Sequence, residues 1–265
     1  MVLRTTLALV LLSALAACGT PAHREPAGPA YSTEAVAAES QRLNAWFEQK
    51  FDEDVARNPM RQTFLGIKDR YGEWTDPSPA FEQAELEIQR ANVAEMKAEF
   101  DFDKLDHQAQ LSWRLAEYQL ERAEAAAAFE GYEYTFNQMH GVQSSIPAFL
   151  INQHKVATLS DAEAYISRLQ GVSAYLGQHV ANARDSAARG IQPPSFVYDY
   201  VLSDARGVIT GYPFSGIGDG TGDSPLMEDF RAKTAALAAN TTITEEQATD
   251  LNARAAEALL TSVGP

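Results

Sequence analysis

The sequence predicts an all-α fold, a multi-helix array, and three observations predict it. Apolar residues recur at three- and four-residue steps through most of the chain. Ser, Thr and Asp stand where such stretches begin, with Pro and Gly where they end. No run alternates between apolar and polar residues for long enough to insist on a strand.

The elements follow in order. After Ser32, the stripe Leu43, Trp46, Phe47, Phe51 and Val55 reads as one amphipathic helix that Asn58-Pro59 breaks. Ser78 is an N-cap with Pro79 at the first helical position, and the helix they open runs to about Phe100. A third helix is expected from about Lys104 to Phe129, with Leu111, Leu115 and Tyr118 on one face, an alanine run from Ala125 to Ala128 for close contact, and Gly131 as its stop. Ser160-Asp161-Ala162-Glu163 has the form of a capping box, and Ile166, Leu169, Val172 and Leu176 continue at helical spacing toward Gly190 and Pro193-Pro194. Ser195 to Tyr200 stays ambiguous between helix and strand because aromatic and β-branched residues crowd there. Ser224-Pro225 and the capping box Thr244-Glu245-Glu246-Gln247 open two final helices. No helix-length repeat is visible.

The chain has 265 residues, a size that fits one domain or two, and 36 acidic against 21 basic residues, a formal charge of -15. So acidic a surface repels phosphate backbones, which excludes nucleic acid as a partner. Cys18 is the single cysteine, so neither a disulfide framework nor a cysteine zinc or iron-sulfur site is available. Residues 1–17 read as a signal peptide: Arg4, an apolar run from Leu7 to Leu12 too short to span a bilayer permanently, then small residues. Leu15-Ala16-Ala17-Cys18 resembles the lipobox of bacterial lipoproteins, which implies acylation of the Cys18 thiol and a membrane partner through the lipid anchor. Gly19 in place of an aspartate implies the outer membrane, facing the periplasm. Residues 18–30, with three prolines and two glycines, read as the lipidated cysteine and a disordered tether, and residues 31–265 as the helical domain.

Motifs for chemistry are mostly missing. There is no G-x-S-x-G elbow, P-loop, H-E-x-x-H or C-x-x-C. Gly216 to Asp223 lacks the dinucleotide spacing, and as a calcium loop it puts Phe230 where a bidentate glutamate is required, so it reads as a flexible turn. The charge-rich stretches Glu82, Glu85, Glu87 with Arg90, and Asp52 to Asp54, read as solvated helix faces. His107 and His179 fit ordinary helix positions.

Two polar clusters among apolar residues supply the candidate substrate-binding groups. One is Asn137, Gln138 and His140, continuing through Ser144-Ser145-Ile146-Pro147 to His154. The other runs from Phe196 to Arg206. If it is helical, Tyr200 and Asp204 share a face one turn apart with Ser203 and Arg206 nearby, so that hydroxyl, carboxylate and guanidinium meet one ligand. A self-satisfied buried network is the structural alternative.

Four blocks then resemble one family: Glu39 to Phe47; Thr63-Phe64-Leu65-Gly66 with Lys68-Asp69-Arg70-Tyr71; Asn137 to His154; and Phe196 to Ile209. Together they are similar to the N-terminal portion of a bacterial lipoprotein family catalogued as domain of unknown function 885. The resemblance implies the N-terminal half of a larger, mostly helical, metallopeptidase-like fold. Zinc is implied for full-length members, held by a His-Glu-x-x-x-Gly-His-His-like segment in the C-terminal half, with a peptide-like substrate. This chain stops before that segment, so the expectation is an incomplete product with no catalytic residue, metal ligand or cofactor of its own. The alternative is a non-catalytic helical envelope lipoprotein that binds a peptide or an envelope component.

Overall fold

The computed structural model describes residues 31–215 and 222–265; the signal peptide, Cys18, the tether and the turn at 216–221 lie outside them. The described residues form nine α-helices and no strand: α1 (Thr33–Arg57), α2 (Pro59–Leu65), α3 (Pro79–Glu99), α4 (His107–Ala127), α5 (Val142–Asn152), α6 (Leu159–Ala188), α7 (Phe196–Val208), α8 (Pro225–Ala239) and α9 (Glu245–Ala258). The all-α array is therefore observed.

Most boundaries follow from the caps. Ser32, Ser78 and Asp106 each accept a hydrogen bond from a first-turn N–H, and Thr244 with Gln247 makes the reciprocal box that opens α9. Asn58 ends α1 and at the same time caps α2, so Asn58-Pro59 is a corner between two helices. The box that opens α6 is Thr158 with Asp161, two residues earlier than Ser160-Asp161-Ala162-Glu163 indicates. Ser195 to Tyr200 resolves as helix.

Two apolar clusters organise the helices. Leu43, Val93, Met96, Phe100, Leu105, Ala109 and Trp113 join α1, α3 and α4. A larger cluster joins α5, α6, α8 and α9 around Leu150, Tyr165, Leu169, Phe230 and Leu251, closed by a π-helical turn at Leu259–Val263. The segment between α2 and α3 stitches the two together. Trp74 stacks on Tyr175 of α6, and Asn182 of α6 donates to the Pro77 carbonyl at 2.8 Å.

The third helix differs from expectation. Residues 102–104 form a 3₁₀ turn, and α4 begins only at His107 under the Asp106 cap. Its core face carries Ala109 and Trp113, whereas Leu111, Leu115, Tyr118 and the alanine run are exposed. Both stripes have helical spacing; Trp113 has the larger apolar area to bury, and burial follows it. Trp113→Ala is expected to cost about 3–5 kcal/mol. Leu115→Ser should stay within about 0.5 kcal/mol, and urea unfolding of the two variants checks which stripe is the core.

Candidate functional site

The sequence candidates fall into two places. The first is a buried polar column in which His154, between α5 and α6, is fully buried. Its Nε2 lies 3.0 Å from the Asp161 carbonyl, and its Nδ1 lies 2.9 Å from Nη1 of Arg168. A carbonyl only accepts and a guanidinium only donates, so the hydrogen sits on Nε2 and Nδ1 is bare. Burial, with Arg168 and Lys233 nearby, pushes His154 down to about 3, and the imidazole is neutral.

Arg168 itself is fully buried. It donates to His154, to Thr63 Oγ1 at 2.6 Å and to the Glu73 carbonyl at 3.1 Å, under the rings of Tyr71, Trp74 and Phe149. Toward α8, Asp229 accepts from the Tyr165 hydroxyl at 2.9 Å and from Lys233 at 2.6 Å, and Lys233 also donates to the Leu150 and Ile151 carbonyls at the end of α5.

A shallow hollow of about 440 Å³ opens beside this column, lined by Lys68, Tyr71, Gly72, Asp161 and Ser167 among others. Two of its charges, Lys68 and Asp161, are spent on each other. Lys68 Nζ reaches both Asp161 oxygens, at 2.8 and 2.7 Å, and Oδ2 also takes the Ala157 and Thr158 N–H groups. Burial alone would raise the Asp161 carboxyl, but these donors outweigh it and hold the group below its usual range. The column thus satisfies itself, and His154 is a member of the core with no open face for a ligand.

The second place is the corner between α5 and α7. Asn137 shapes the turn into α5: its Oδ1 accepts from the Met139 and His140 N–H groups at 2.9 and 2.7 Å, and its Nδ2 donates to the Tyr134 carbonyl at 2.9 Å. Gln143 then joins the two sequence clusters. Its Nε2 donates to the Asn137 carbonyl at 2.7 Å and lies 3.5 Å from Asp204 Oδ2 on α7. Gly141 permits this fit, because a Cβ there would stand 2.0 Å from Gln143 Oε1 and 2.6 Å from the Asn137 backbone. Gln143 Oε1 is buried without a partner among the described residues. Gln143 carries no motif in the sequence; its signal is only that it sits in the first turn of a helix opened by a glycine cap.

Tyr200, Asp204 and Arg206 are exposed on α7, and Gln138 and His140 are exposed on the turn that faces it. The structure therefore brings Asn137 and Asp204 together through Gln143, keeps Tyr200 and Arg206 on the same helix, and separates His154 from all of them.

Among the described residues no three His, Cys, Asp or Glu side chains converge as metal ligands. Both His154 ring nitrogens are occupied, His179 is desolvated against Tyr175, and His107 and His140 stand on different elements. This donor set does not fit a catalytic zinc, and no chemical step is derived through one.

The profile of a family of bacterial proteins of unknown function, DUF885, matches residues 59–265. The chain belongs to this family. Among curated proteins none matches it in sequence. A crystal structure of a protein from Colwellia psychrerythraea, named as a lipoprotein, superposes with a TM-score of 0.67 at 16% identity, over 85% of this chain and 39% of that one. At that identity the likeness shows a shared fold alone, and the chain spans about two fifths of that neighbour's length.

The buried histidine fixes a pH dependence. Its folded pKa of about 3 lies below the ordinary value of 6.5, so the unfolded chain binds a proton that the folded chain refuses. Stability is complete above that ordinary value and falls on acidification toward 3, by up to about 1.4 kcal/mol per pH unit from His154. His179, lowered by desolvation, adds in the same direction, and the Asp161 contribution is lost only below the ordinary carboxylate range. His154→Gln should remove about one proton from the slope of unfolding free energy between pH 6 and 4.5. An unchanged slope in a urea-midpoint series would mean that His154 titrates normally in the fold.

Proposed function

We propose that this chain is the N-terminal, ligand-shaping part of a longer, lipid-anchored envelope protein that acts on peptides. The single observation that carries the proposal is α7. Phe196, Tyr198, Tyr200 and Leu202 are all exposed, and Val197 is its one buried residue. Residues 196 and 200 lie on one flank and 198 and 202 on another, so large apolar side chains stand exposed on two flanks of an amphipathic helix whose polar side carries Asp199, Ser203 and Arg206 and which rests mainly on α5. Exposed aromatic side chains grouped in this way mark a surface that a larger body or a ligand covers. Asp204, Gln143 and Arg206 stand at its edge as polar groups for orientation, the composition that a peptide-binding wall requires.

In this proposal Tyr200, Asp204 and Arg206 face the cleft between this part and the remainder of the protein. The family's peptidase chemistry, zinc included, belongs to that remainder. What these residues contribute is capture: ring faces for apolar side chains, a carboxylate and a guanidinium for the polar ends of an extended backbone. Among the described residues no helix is long and apolar enough to cross a membrane. The membrane attachment proposed here is the acyl group on Cys18, which with its leader and tether lies outside the described residues.

The anchor is checked by palmitate labelling: the wild-type chain should incorporate label and partition with membranes, and Cys18→Ser should do neither. Equal labelling of both rules out lipidation at Cys18. The division of labour is checked by comparing a soluble Gly19 to Pro265 protein with one extended through a downstream His-Glu segment. The extended protein should retain zinc through dialysis and show chelator-sensitive peptidase activity, and the shorter one should show neither. Zinc-dependent activity in the shorter protein would refute the assignment; inactivity of both would favour the non-catalytic binding protein.

A further inference from the structure

Resting on the proposal that α7 walls a peptide site, we infer that the polypeptide it takes is a cationic amphipathic segment, with lysine or arginine interleaved with large apolar side chains. The surface that would read it is longer than α7. Phe129, Tyr132, Tyr134 and Met139 are exposed along the connection from α4 to α5, with Met139 70% accessible and Phe129 64%. Two hydrogen bonds pin this connection. Arg189 Nη1 holds the Glu130 carbonyl at 3.1 Å at one end, and Gln143 holds the Asn137 carbonyl beside Asp204 at the other. The exposed side chains of the connection, with Phe129 edge-on to Tyr132, thus stand on backbone held at one end by α6 and at the other by the Gln143 link to α7.

The charge that borders this surface is negative. Glu130 and Glu133 lie on the connection, Asp199 and Asp204 on α7, and Glu82 at the start of α3. None of these five carboxylates has a salt-bridge partner among the described residues, whereas on the nearby α3 and α4 pair Arg90 meets Glu124 and Lys97 meets Glu117. Desolvation, then the charges of Glu130 and Glu133, raise the Glu82 carboxyl above its usual range, which is the mark of a local field short of cations. The cations within this surface are Arg189, already bonded to the Glu130 carbonyl and Ser186, and Arg206.

Rings beside unpaired carboxylates suit lysine and arginine, whose stems lie along apolar surface while the head group meets carboxylate or ring face. The same charges disfavour the other occupants. A second copy of a chain with formal charge -15 would bring like charges together across the patch, and an anionic lipid surface would be repelled.

Fluorescence anisotropy with the soluble Gly19 to Pro265 protein tests the inference. The probes are three labelled synthetic peptides of one length: alternating lysine and phenylalanine, the same with glutamine for lysine, and the same with glutamate for lysine. The lysine peptide should bind at least about tenfold tighter than the glutamine peptide at low salt, a ratio worth ~1.4 kcal/mol, and the advantage should shrink as salt rises. The glutamate peptide should bind more weakly than either. Asp199→Asn with Asp204→Asn and Glu133→Gln should bring the lysine peptide down to the glutamine level, and Tyr200→Ser with Leu202→Ser should weaken both. Leu115→Ser with Glu121→Gln, on the exposed face of α4, should change nothing.

Equal binding of lysine and glutamine peptides, weakened by the Tyr200 and Leu202 variants, would overturn the charge selection and leave the peptide wall intact. An equal loss in the α4 variant would reduce the effect to the overall charge and overturn the inference. No binding of any peptide by the folded protein would overturn both the inference and the peptide wall. Concentration-dependent dimerisation abolished by Leu202→Ser would assign the face to a second copy instead.

Discussion

Arg168 is the contact on which the rest of the molecule depends. A guanidinium with no solvent exposure and no carboxylate among its hydrogen-bond partners is an expensive group, and desolvation lowers it to about 10, still charged at neutral pH. It is tolerated because neutral acceptors and three ring faces surround it. Those partners come from separate stretches of chain: Thr63 from α2, Glu73, Tyr71 and Trp74 from the connection before α3, Phe149 from α5, and His154 from the turn into α6. One side chain of α6 therefore sets where α2, α5 and the long connection can lie. Each partner left behind by its loss would be a buried polar group without a donor, a cost of about 1–3 kcal/mol apiece.

The same arrangement explains why a buried histidine is neutral. Arg168 needs an acceptor at Nδ1, and only the tautomer protonated at Nε2 supplies it while also serving the Asp161 carbonyl. The Tyr71 ring lies 4.1 Å from the imidazole, and its hydroxyl clamps both backbone groups of Lys155. A second proton on His154 would set two cations against each other in a site closed to water. Asp161 closes the column on the other side, capping α6 with one oxygen and taking Lys68 with both. In this column burial and hydrogen bonding thus go together.

How much of this was legible in the sequence depends on the type of signal. Caps carry local chemistry, so Ser32, Ser78 and Thr244 placed their helices correctly, and Asn58-Pro59 marked its corner. Two helices stayed hidden for physical reasons. α2 is seven residues long and shows under two turns of periodicity, and α5 carries Pro147 in its interior, the residue that ordinarily argues against a helix. Periodicity in α4 gave a helix but not its buried side, because Leu111-Leu115-Tyr118 and Ala109-Trp113 fit the same spacing and only the partners on α1 and α3 choose between them. For the site, the residue types were visible while their allegiance was not. His154 and Asn137 sit in one stretch of sequence, yet one is locked in the core and the other shapes a surface turn, a division decided by Arg168 fourteen residues further along α6. Gln143, which joins the two clusters, carries no motif.

Satisfaction of polar groups, more than burial or residue type, locates the candidate site. In the column from Thr63 through Arg168 and His154 to Asp161 each polar side-chain nitrogen and oxygen has a partner, so a ligand arriving there would have to break bonds before it made any. At the α5 and α7 corner the ledger is open: a buried amide oxygen on Gln143 without a partner, carboxylates without cations, and rings without a covering layer. Rigid support is nevertheless close, because the Asn137 turn is cross-linked to Gln143 and the C-terminus of α5 is held by Lys233. A surface that is ordered from behind and unfinished in front loses little conformational entropy when something binds, and it retains its full desolvation gain for the partner. That asymmetry is what sets α7 apart from the exposed Leu111, Leu115 and Tyr118 stripe of α4, which lies on a helix already packed along its other face and has no unpartnered buried polar atom beside it.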